Sequence, residues 1–153
     1  MNDTTHHHWA DGCSVSVDIA IDATSSFVWD VIRDIYAVDT RLLPGFATHV
    51  EATSADVRTV TFANGLTVAE RVVTLDDERR TLVYQAIDGP MEHHRASQVV
   101  TDDGHGNARL VWTTQFAPAR LVEPAGRNIG SIARLMKATI EQAAHAAGSD
   151  AVG

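Results

Sequence analysis

Residues 64–89, NGLTVAERVVTLDDERRTLVYQAIDG, contain two stretches of alternating side chains on either side of a charged turn. Such alternation is typical of β-strands, because successive side chains of a strand point to opposite faces. Residues 76–79 are all charged and include turn formers, so the two strands are predicted to form an antiparallel hairpin. Glu70 shares one face with Val68 and Val72. A carboxylate in an apolar face needs a partner or a function.

The same alternation predicts five further strands, at residues 14–21, 46–52, 56–62, 92–101 and 108–116. Short turns between most of them indicate an antiparallel meander. In the second strand of the chain the pattern predicts an inward row made of Phe46, Thr48, Val50 and Ala52.

Helical spacing of apolar residues is found in three places. Residues 26–35 follow the candidate N-cap residues Asp22, Thr24 and Ser25. Residues 35–43 predict a second short helix that stops at the following Pro-Gly pair. Near the C-terminus, within residues 122–147, a stripe is formed by Ile129, Ile132, Ala133, Met136, Ile140, Ala143 and Ala144.

These elements predict an α+β fold in which a curved antiparallel sheet of six to seven strands wraps around a long C-terminal helix. Two short helices follow the first strand. Residues 13–147 are expected to form one domain, because no internal linker or repeat interrupts them. Residues 1–12 and 148–153 are expected to be flexible tails.

The composition argues against several classes of partner. The chain of 153 residues has a formal net charge of −8, whereas nucleic acids and anionic membranes are bound through clustered Lys and Arg. No stretch approaches the roughly 20 apolar residues that span a bilayer. We therefore expect a cytoplasmic protein, monomeric or homodimeric, without nucleic-acid binding or membrane insertion.

Metal and cofactor chemistry is not predicted. Cys13 is the single cysteine, which excludes an internal disulfide and a multi-cysteine metal site. His93 and His94 are adjacent on a predicted strand and point to opposite faces, so they form a poor chelate. No glycine motif for a dinucleotide or phosphate is present.

An ordered set of short motifs resembles the helix-grip superfamily, also called SRPBCC or START-like. The motifs are VWDV at 28–31, VR at 57–58, NGL at 64–66, AER at 69–71, LDDERR at 75–80 and WTTQFAP at 112–118. This superfamily includes bacterial polyketide cyclase/dehydrase proteins, the birch-pollen allergen and the plant abscisic-acid receptors. The resemblance covers residues 14–147.

The resemblance implies a cavity between the sheet and the long helix that admits small apolar molecules. In the plant receptors, an Arg and a Glu matching Arg58 and Glu70 belong to a polar network inside the cavity. The lysine that contacts an acidic ligand there is absent here, and Thr48 is the nearest matching inward position. The gating loop is shorter and has Thr67 in place of proline, so receptor-type gating is not expected.

Arg58 and Glu70 are predicted to face the interior from adjacent strands, where they can form a cross-strand ion pair. Such a pair can be purely structural. It can also polarise a carbonyl or phenol of a ligand, or Glu70 can act as a base after burial raises its pKa.

Tyr84 and His94 complete the predicted catalytic set. The Tyr84 hydroxyl can donate to a ligand, or the ring can simply fill space. The register of the resembled superfamily implies that His94 shares an inward row with Gln98. His94 can then serve as acid, base or donor, the alternative being a solvated histidine at the mouth. Further ligand-binding residues are predicted to be Trp29, Thr48, Val60, Phe62, Gln98, Trp112, Phe116, Ile129, Ile132 and Met136.

Three functions are compatible with the sequence. Resemblance to the polyketide cyclase/dehydrase proteins implies cofactor-independent cyclisation, dehydration or a related acid/base step on an aromatic or polyketide-like molecule. A non-catalytic carrier or sensor of a hydrophobic molecule is the alternative. A protein–protein module whose cavity is filled by large side chains is the third.

Overall fold

The computed structural model describes residues 11–89 and 91–152 of the chain. In chain order its strands and α-helices are β1 (Cys13–Ile21), α1 (Ser25–Ile32), β2 (Ala47–Ser54), β3 (Val57–Phe62), β4 (Thr67–Asp76), β5 (Thr81–Ala86), β6 (His93–Asp102), β7 (Ala108–Ala117) and α2 (Val122–Val152). A π-helical turn, Val38–Leu42, lies between α1 and β2, and a 3₁₀ turn, Ala119–Leu121, precedes α2.

The described strands form one antiparallel sheet of seven strands in the order β1-β7-β6-β5-β4-β3-β2. Strands β2 to β7 follow the chain as a meander, and β1 pairs with β7 along its whole length. The curved sheet and the long C-terminal helix confirm the predicted helix-grip fold.

The core lies between the inner face of the sheet and α2. Every third or fourth residue of the helix is buried there, namely Ala125, Ile129, Ala133, Met136 and Ile140. These side chains pack in one cluster with inner-face residues of the sheet such as Leu82 and Leu110. The helical stripe predicted from the sequence is therefore the face that the sheet covers, except at Ala143, which is exposed.

The region after β1 forms as predicted in outline. Thr24 caps α1, since its hydroxyl accepts a hydrogen bond from Phe27 N at 3.1 Å. The helix ends at Ile32, three residues before the predicted end. The second predicted helix is the π-helical turn, which buries Val38 and Leu42.

The prediction that Thr48 points inward is wrong. Ala47 pairs with Phe62 and His49 with Thr61, so the register shifts at Thr48, which is the extra residue of a β-bulge. Its side chain is exposed and its hydroxyl donates to the Thr61 carbonyl at 3.2 Å. An extra residue in one strand reverses the faces on one side of it, which places Ala47 in the core instead.

The two ends of the chain differ in what can be described. Residues 1–10 of the predicted N-terminal tail lie outside the described residues. Helix α2 continues past residue 147 to Val152, so residues 148–152 of the predicted C-terminal tail are helical. Among the described helices, none combines the length and the apolar character needed to cross a membrane.

A candidate ligand-binding cavity between the sheet and the long helix

A cavity of about 200 Å³ lies between the sheet, the π-helical turn and the N-terminal half of α2. Most of its lining residues are apolar, and its polar ones come from strands β3 to β7 and from α2. Phe46 and Asn128 are the exposed lining residues among those described, which places the mouth between the start of β2 and the first turns of α2. The Phe46 and Phe62 rings meet edge to face there, with centroids 5.5 Å apart.

The structure brings most of the predicted site residues together. All four residues of the predicted catalytic set line the cavity: Arg58, Glu70, Tyr84 and His94. The predicted ligand-binding residues that also line it are Val60, Phe62, Gln98, Trp112, Ile129, Ile132 and Met136.

Trp29, Thr48 and Phe116 do not line the cavity. Trp29 is buried in α1, where its indole N–H donates to Asp77 Oδ1 at 2.9 Å and ties the helix to the β4–β5 turn. Thr48 is displaced by the bulge in β2. Phe116 is fully buried in the core, so none of its ring surface is left for the cavity.

Eight lining residues were not predicted: Val38, Leu42, Leu43, Phe46, Met91, Thr114, Ala125 and Asn128. Besides Phe46, which the alternation in its strand placed on the inward face, two of them carried a readable signal. Thr114 is two residues from Trp112 on β7 and shares its face, and Ala125 extends the stripe of Ile129 by one turn. The residues around the π-helical turn carried no such signal, because a sequence pattern does not show which part of the sheet a distant segment contacts.

Arg58 and Glu70 form an ion pair in the cavity wall. They are directly opposed across β3 and β4, with Arg58 Nε 3.0 Å from Glu70 Oε1. Their side chains are only 6% and 15% exposed. Arg58 Nη1 also donates to the Ile35 carbonyl at 3.0 Å, and the guanidinium carbon lies 5.0 Å from the centre of the Tyr84 ring. The second oxygen of Glu70 accepts no hydrogen bond within residues 11–89 and 91–152.

The Tyr84 hydroxyl is neutral under ordinary conditions. Burial raises its pKa, and the nearby Glu70 charge raises it further, whereas Arg58 and the Trp112 indole oppose the shift. The Trp112 N–H is thus close enough to act on the hydroxyl, although it makes no hydrogen bond of good geometry in the described part of the chain. Tyr84 therefore presents an intact O–H group at the cavity.

The His94 side chain accepts a backbone hydrogen bond just beyond the end of the β5–β6 pairing. The pairing of β5 with β6 stops at Tyr84 and Ala96, and His94 Nδ1 accepts the next free N–H, that of Ala86, at 2.9 Å. Burial lowers the pKa of the imidazole to about 4. The structure thus places His94 in the cavity wall as a half-buried neutral ring, which differs from a solvated histidine.

Three more polar side chains lie deep in the wall. Gln98 is 2% exposed, and its amide nitrogen is 4.0 Å from Met136 Sδ, a weak contact. Trp112 Nε1 and Thr114 Oγ1 are buried without a hydrogen-bond partner among the described residues. Buried polar groups are normally satisfied, so this end of the cavity has unused hydrogen-bonding capacity.

No metal centre can be built from the described side chains. Within residues 11–89 and 91–152, no group of three or more His, Cys, Asp and Glu side chains is arranged to hold a metal ion.

Several solved structures share this fold. The protein XoxI from Bacillus cereus superposes with a TM-score of 0.74 at 18% identity, covering 86% of this chain and 94% of that one. Norcoclaurine synthase from Thalictrum flavum, in complex with dopamine and hydroxybenzaldehyde, superposes with a TM-score of 0.68 at 18% identity, covering 86% and 85%. At such identities the likeness establishes the fold alone.

The fold and the sequence family of the chain are those of the helix-grip superfamily. A sequence profile of the family described as polyketide cyclase / dehydrase and lipid transport matches residues 12–148, and the chain belongs to this family. A comparison with curated protein sequences gives no match.

Proposed function

We propose that the cavity binds a small, mainly apolar molecule with a carbonyl or phenol oxygen and catalyses an acid/base step on it, such as cyclisation or dehydration. One observation carries the proposal. Glu70 is held by Arg58 through one oxygen, and its other oxygen is left without a partner among the described residues of a mainly apolar cavity. A positioned carboxylate in such a cavity can act as a general base.

The size of the cavity favours a single-ring substrate. Pockets for drug-sized molecules have volumes of roughly 300–1,000 Å³, and this cavity holds about 200 Å³. An extended polyketide does not fit that space, whereas a substituted benzene ring does. Dopamine and hydroxybenzaldehyde, the molecules bound to norcoclaurine synthase, each contain one ring.

The proposed step begins at a carbon next to the ligand carbonyl. Glu70 removes a proton from that carbon, the C–H electron pair forms a C=C bond, and the carbonyl oxygen becomes an enolate. Attack of the enolate carbon on a second carbonyl gives cyclisation, and the proton on Glu70 passes to the new alkoxide oxygen. In dehydration, a hydroxyl group on the neighbouring carbon leaves as water with the proton that Glu70 carries. Tyr84 and His94 line the same cavity and belong to this catalytic set.

Proton exchange on a model ketone tests this step without knowledge of the natural substrate. Acetophenone is incubated with the protein in deuterated water, and loss of its methyl proton signal is followed by NMR. The native protein should accelerate the exchange, and Glu70→Gln should abolish the acceleration. Glu51→Gln, on an exposed residue of β2, is the matched control and should exchange like the native protein. Equal exchange by native protein and Glu70→Gln would refute the role of Glu70.

A non-catalytic carrier or sensor is the second candidate. Arg58 is held by both Glu70 and the Ile35 carbonyl, an arrangement that suits a fixed structural anchor. Native mass spectrometry of freshly purified protein separates the two functions. A bound molecule released unchanged after incubation supports carriage, and conversion of that molecule supports catalysis.

We also expect four further properties from the composition and motifs of the sequence. They are a cytoplasmic location, a monomeric or homodimeric state, the absence of nucleic-acid binding, and activity without a cofactor. The protein–protein module is disfavoured, since the cavity beside Trp112 and Met136 is open and not filled by their side chains.

A further inference from the structure

Tyr84 and His94 lie side by side in the cavity wall. Their ring centres are 6.0 Å apart and their planes are tilted by 43°. They come from β5 and β6 at the point where the pairing of these strands ends. Both residues also line the cavity, so one small ligand can contact both rings.

The hydrogen bond from Ala86 fixes the tautomer of His94. Because the backbone N–H of Ala86 donates to Nδ1, that nitrogen presents its lone pair and carries no proton. A neutral imidazole has one N–H, which must then be on Nε2. Nε2 makes no hydrogen bond to any residue in 11–89 or 91–152, so its N–H is left for a ligand.

The environment of Tyr84 also directs its proton. An indole N–H is a donor only, so the Trp112 group cannot take up the proton of the Tyr84 hydroxyl. The hydroxyl makes no hydrogen bond of good geometry to the described residues, and its own proton remains available. Tyr84 and His94 thus both offer a donor, and neither carries a charge.

We infer that the Tyr84 hydroxyl and the His94 Nε2–H form a two-donor site for one oxygen atom of a neutral ligand, a ketone or aldehyde carbonyl. This inference deepens the proposed function and rests on it. A carbonyl oxygen has two lone pairs and accepts both donors. Arg58 is the one cationic side chain among the described lining residues, and Glu70 occupies it. A carboxylate ligand would therefore meet the Glu70 charge without a compensating cation.

The two-donor site assigns roles within the proposed step. Proton transfer from carbon to Glu70 moves negative charge onto the carbonyl oxygen, and two fixed neutral donors stabilise that charge as it develops. His94 is then a donor, and neither an acid nor a base, because Nδ1 is engaged by Ala86 and the ring stays neutral.

The experiment measures binding of three probes with one ring each: acetophenone, ethylbenzene and benzoate. For acetophenone labelled with carbon-13 at the carbonyl, the infrared C=O band reports the hydrogen bonds made by the oxygen. The variants are Tyr84→Phe, His94→Asn and His94→Gln. Asparagine places an acceptor near the Nδ1 position and loses the distal donor, whereas glutamine places an amide near Nε2. His93→Asn, on the exposed neighbour in β6, is the control.

The native protein should bind acetophenone at least about tenfold more tightly than ethylbenzene or benzoate, with the C=O band shifted to lower frequency. Tyr84→Phe and His94→Asn should each lose about tenfold in acetophenone affinity and part of the shift, and leave ethylbenzene unaffected. His94→Gln should retain most of the acetophenone affinity and most of the band shift. His93→Asn should retain both in full.

The two-donor site would be overturned by unchanged affinity and band in Tyr84→Phe and His94→Asn, by equal losses in His94→Gln and His94→Asn, or by tighter binding of benzoate than of acetophenone. Equal binding of ethylbenzene and acetophenone by the native protein also contradicts it, but leaves the apolar cavity of the proposed function intact. If neither of those two probes binds, the proposed function fails as well.

Discussion

Arg58 Nε lies 3.0 Å from Glu70 Oε1 across β3 and β4, in the wall of the cavity. Because the guanidinium is only 6% exposed, Glu70→Ala should leave a buried charge unpaired and reduce the free energy of unfolding by about 3 kcal/mol. The double variant Arg58→Met, Glu70→Leu should be less destabilised, because no buried charge remains. Urea unfolding measures both.

The control for this prediction is the exposed pair Asp18–Arg109, whose side chains are 55% and 43% exposed. Asp18→Ala should change the free energy of unfolding by less than about 1 kcal/mol. An equal effect of Glu70→Ala and Asp18→Ala would show that the cavity pair does not stabilise the fold.

His94 should make stability depend on pH. Its pKa is lowered from 6.5 to about 4 by burial, so between these values the unfolded chain binds a proton that the folded protein does not. The stabilisation is complete above pH 6.5 and is lost as the pH falls to about 4, by up to about 3 kcal/mol. His94→Asn should remove this component. Urea unfolding of both proteins across that range measures it, and parallel pH profiles would contradict it.

Ala125 offers a way to close the cavity without disturbing the sheet. It lines the cavity from α2, and Ala125→Leu should fill part of the space. The affinity for acetophenone should fall at least about tenfold, while the free energy of unfolding stays equal or rises by up to about 1 kcal/mol. Ala138→Leu, on the exposed face of α2, is the matched control and should bind normally. Normal binding by Ala125→Leu would place the ligand elsewhere.

Trp29 should matter for the fold and not for the ligand. Trp29→Phe removes the donor to Asp77, whose pKa is held down chiefly by its hydrogen bond to Arg33 and then by the one to Trp29. The midpoint of urea unfolding should decrease, and acetophenone affinity should change by less than about twofold. A larger loss of affinity would show that Trp29 contributes to the binding site.

Strand alternation made much of this site predictable. Alternation predicts the interior position of Arg58, Glu70 and Tyr84, because the irregularity in β4 comes only after Val72. For Gln98 in β6, the register of the resembled superfamily was needed to choose between the two faces. The prediction that Thr48 points inward is wrong because a bulge in β2 breaks the period of two. No local signal in the sequence marks the extra residue.

Burial and contact with the cavity are different properties, which explains why Trp29 and Phe116 do not line the cavity. Trp29 and Phe116 are buried as apolar residues of a stripe or an inner face should be, but alternation does not say which buried residues border empty space. The hydrogen bond of His94 Nδ1 to Ala86 was also hidden, because it depends on where the β5–β6 pairing stops. That bond decides which role His94 can play.

The most direct test of the account is a methyl NMR titration of the protein, labelled at its methionine and isoleucine methyl groups, with acetophenone. We predict that the signals of Met136, Ile129 and Ile132 shift with saturation, and that Ile87, which is exposed outside the cavity, does not respond. Saturable shifts confined to residues outside the cavity, or no shifts at all, would contradict the claim that the space between the sheet and α2 is a binding site for a small neutral carbonyl compound.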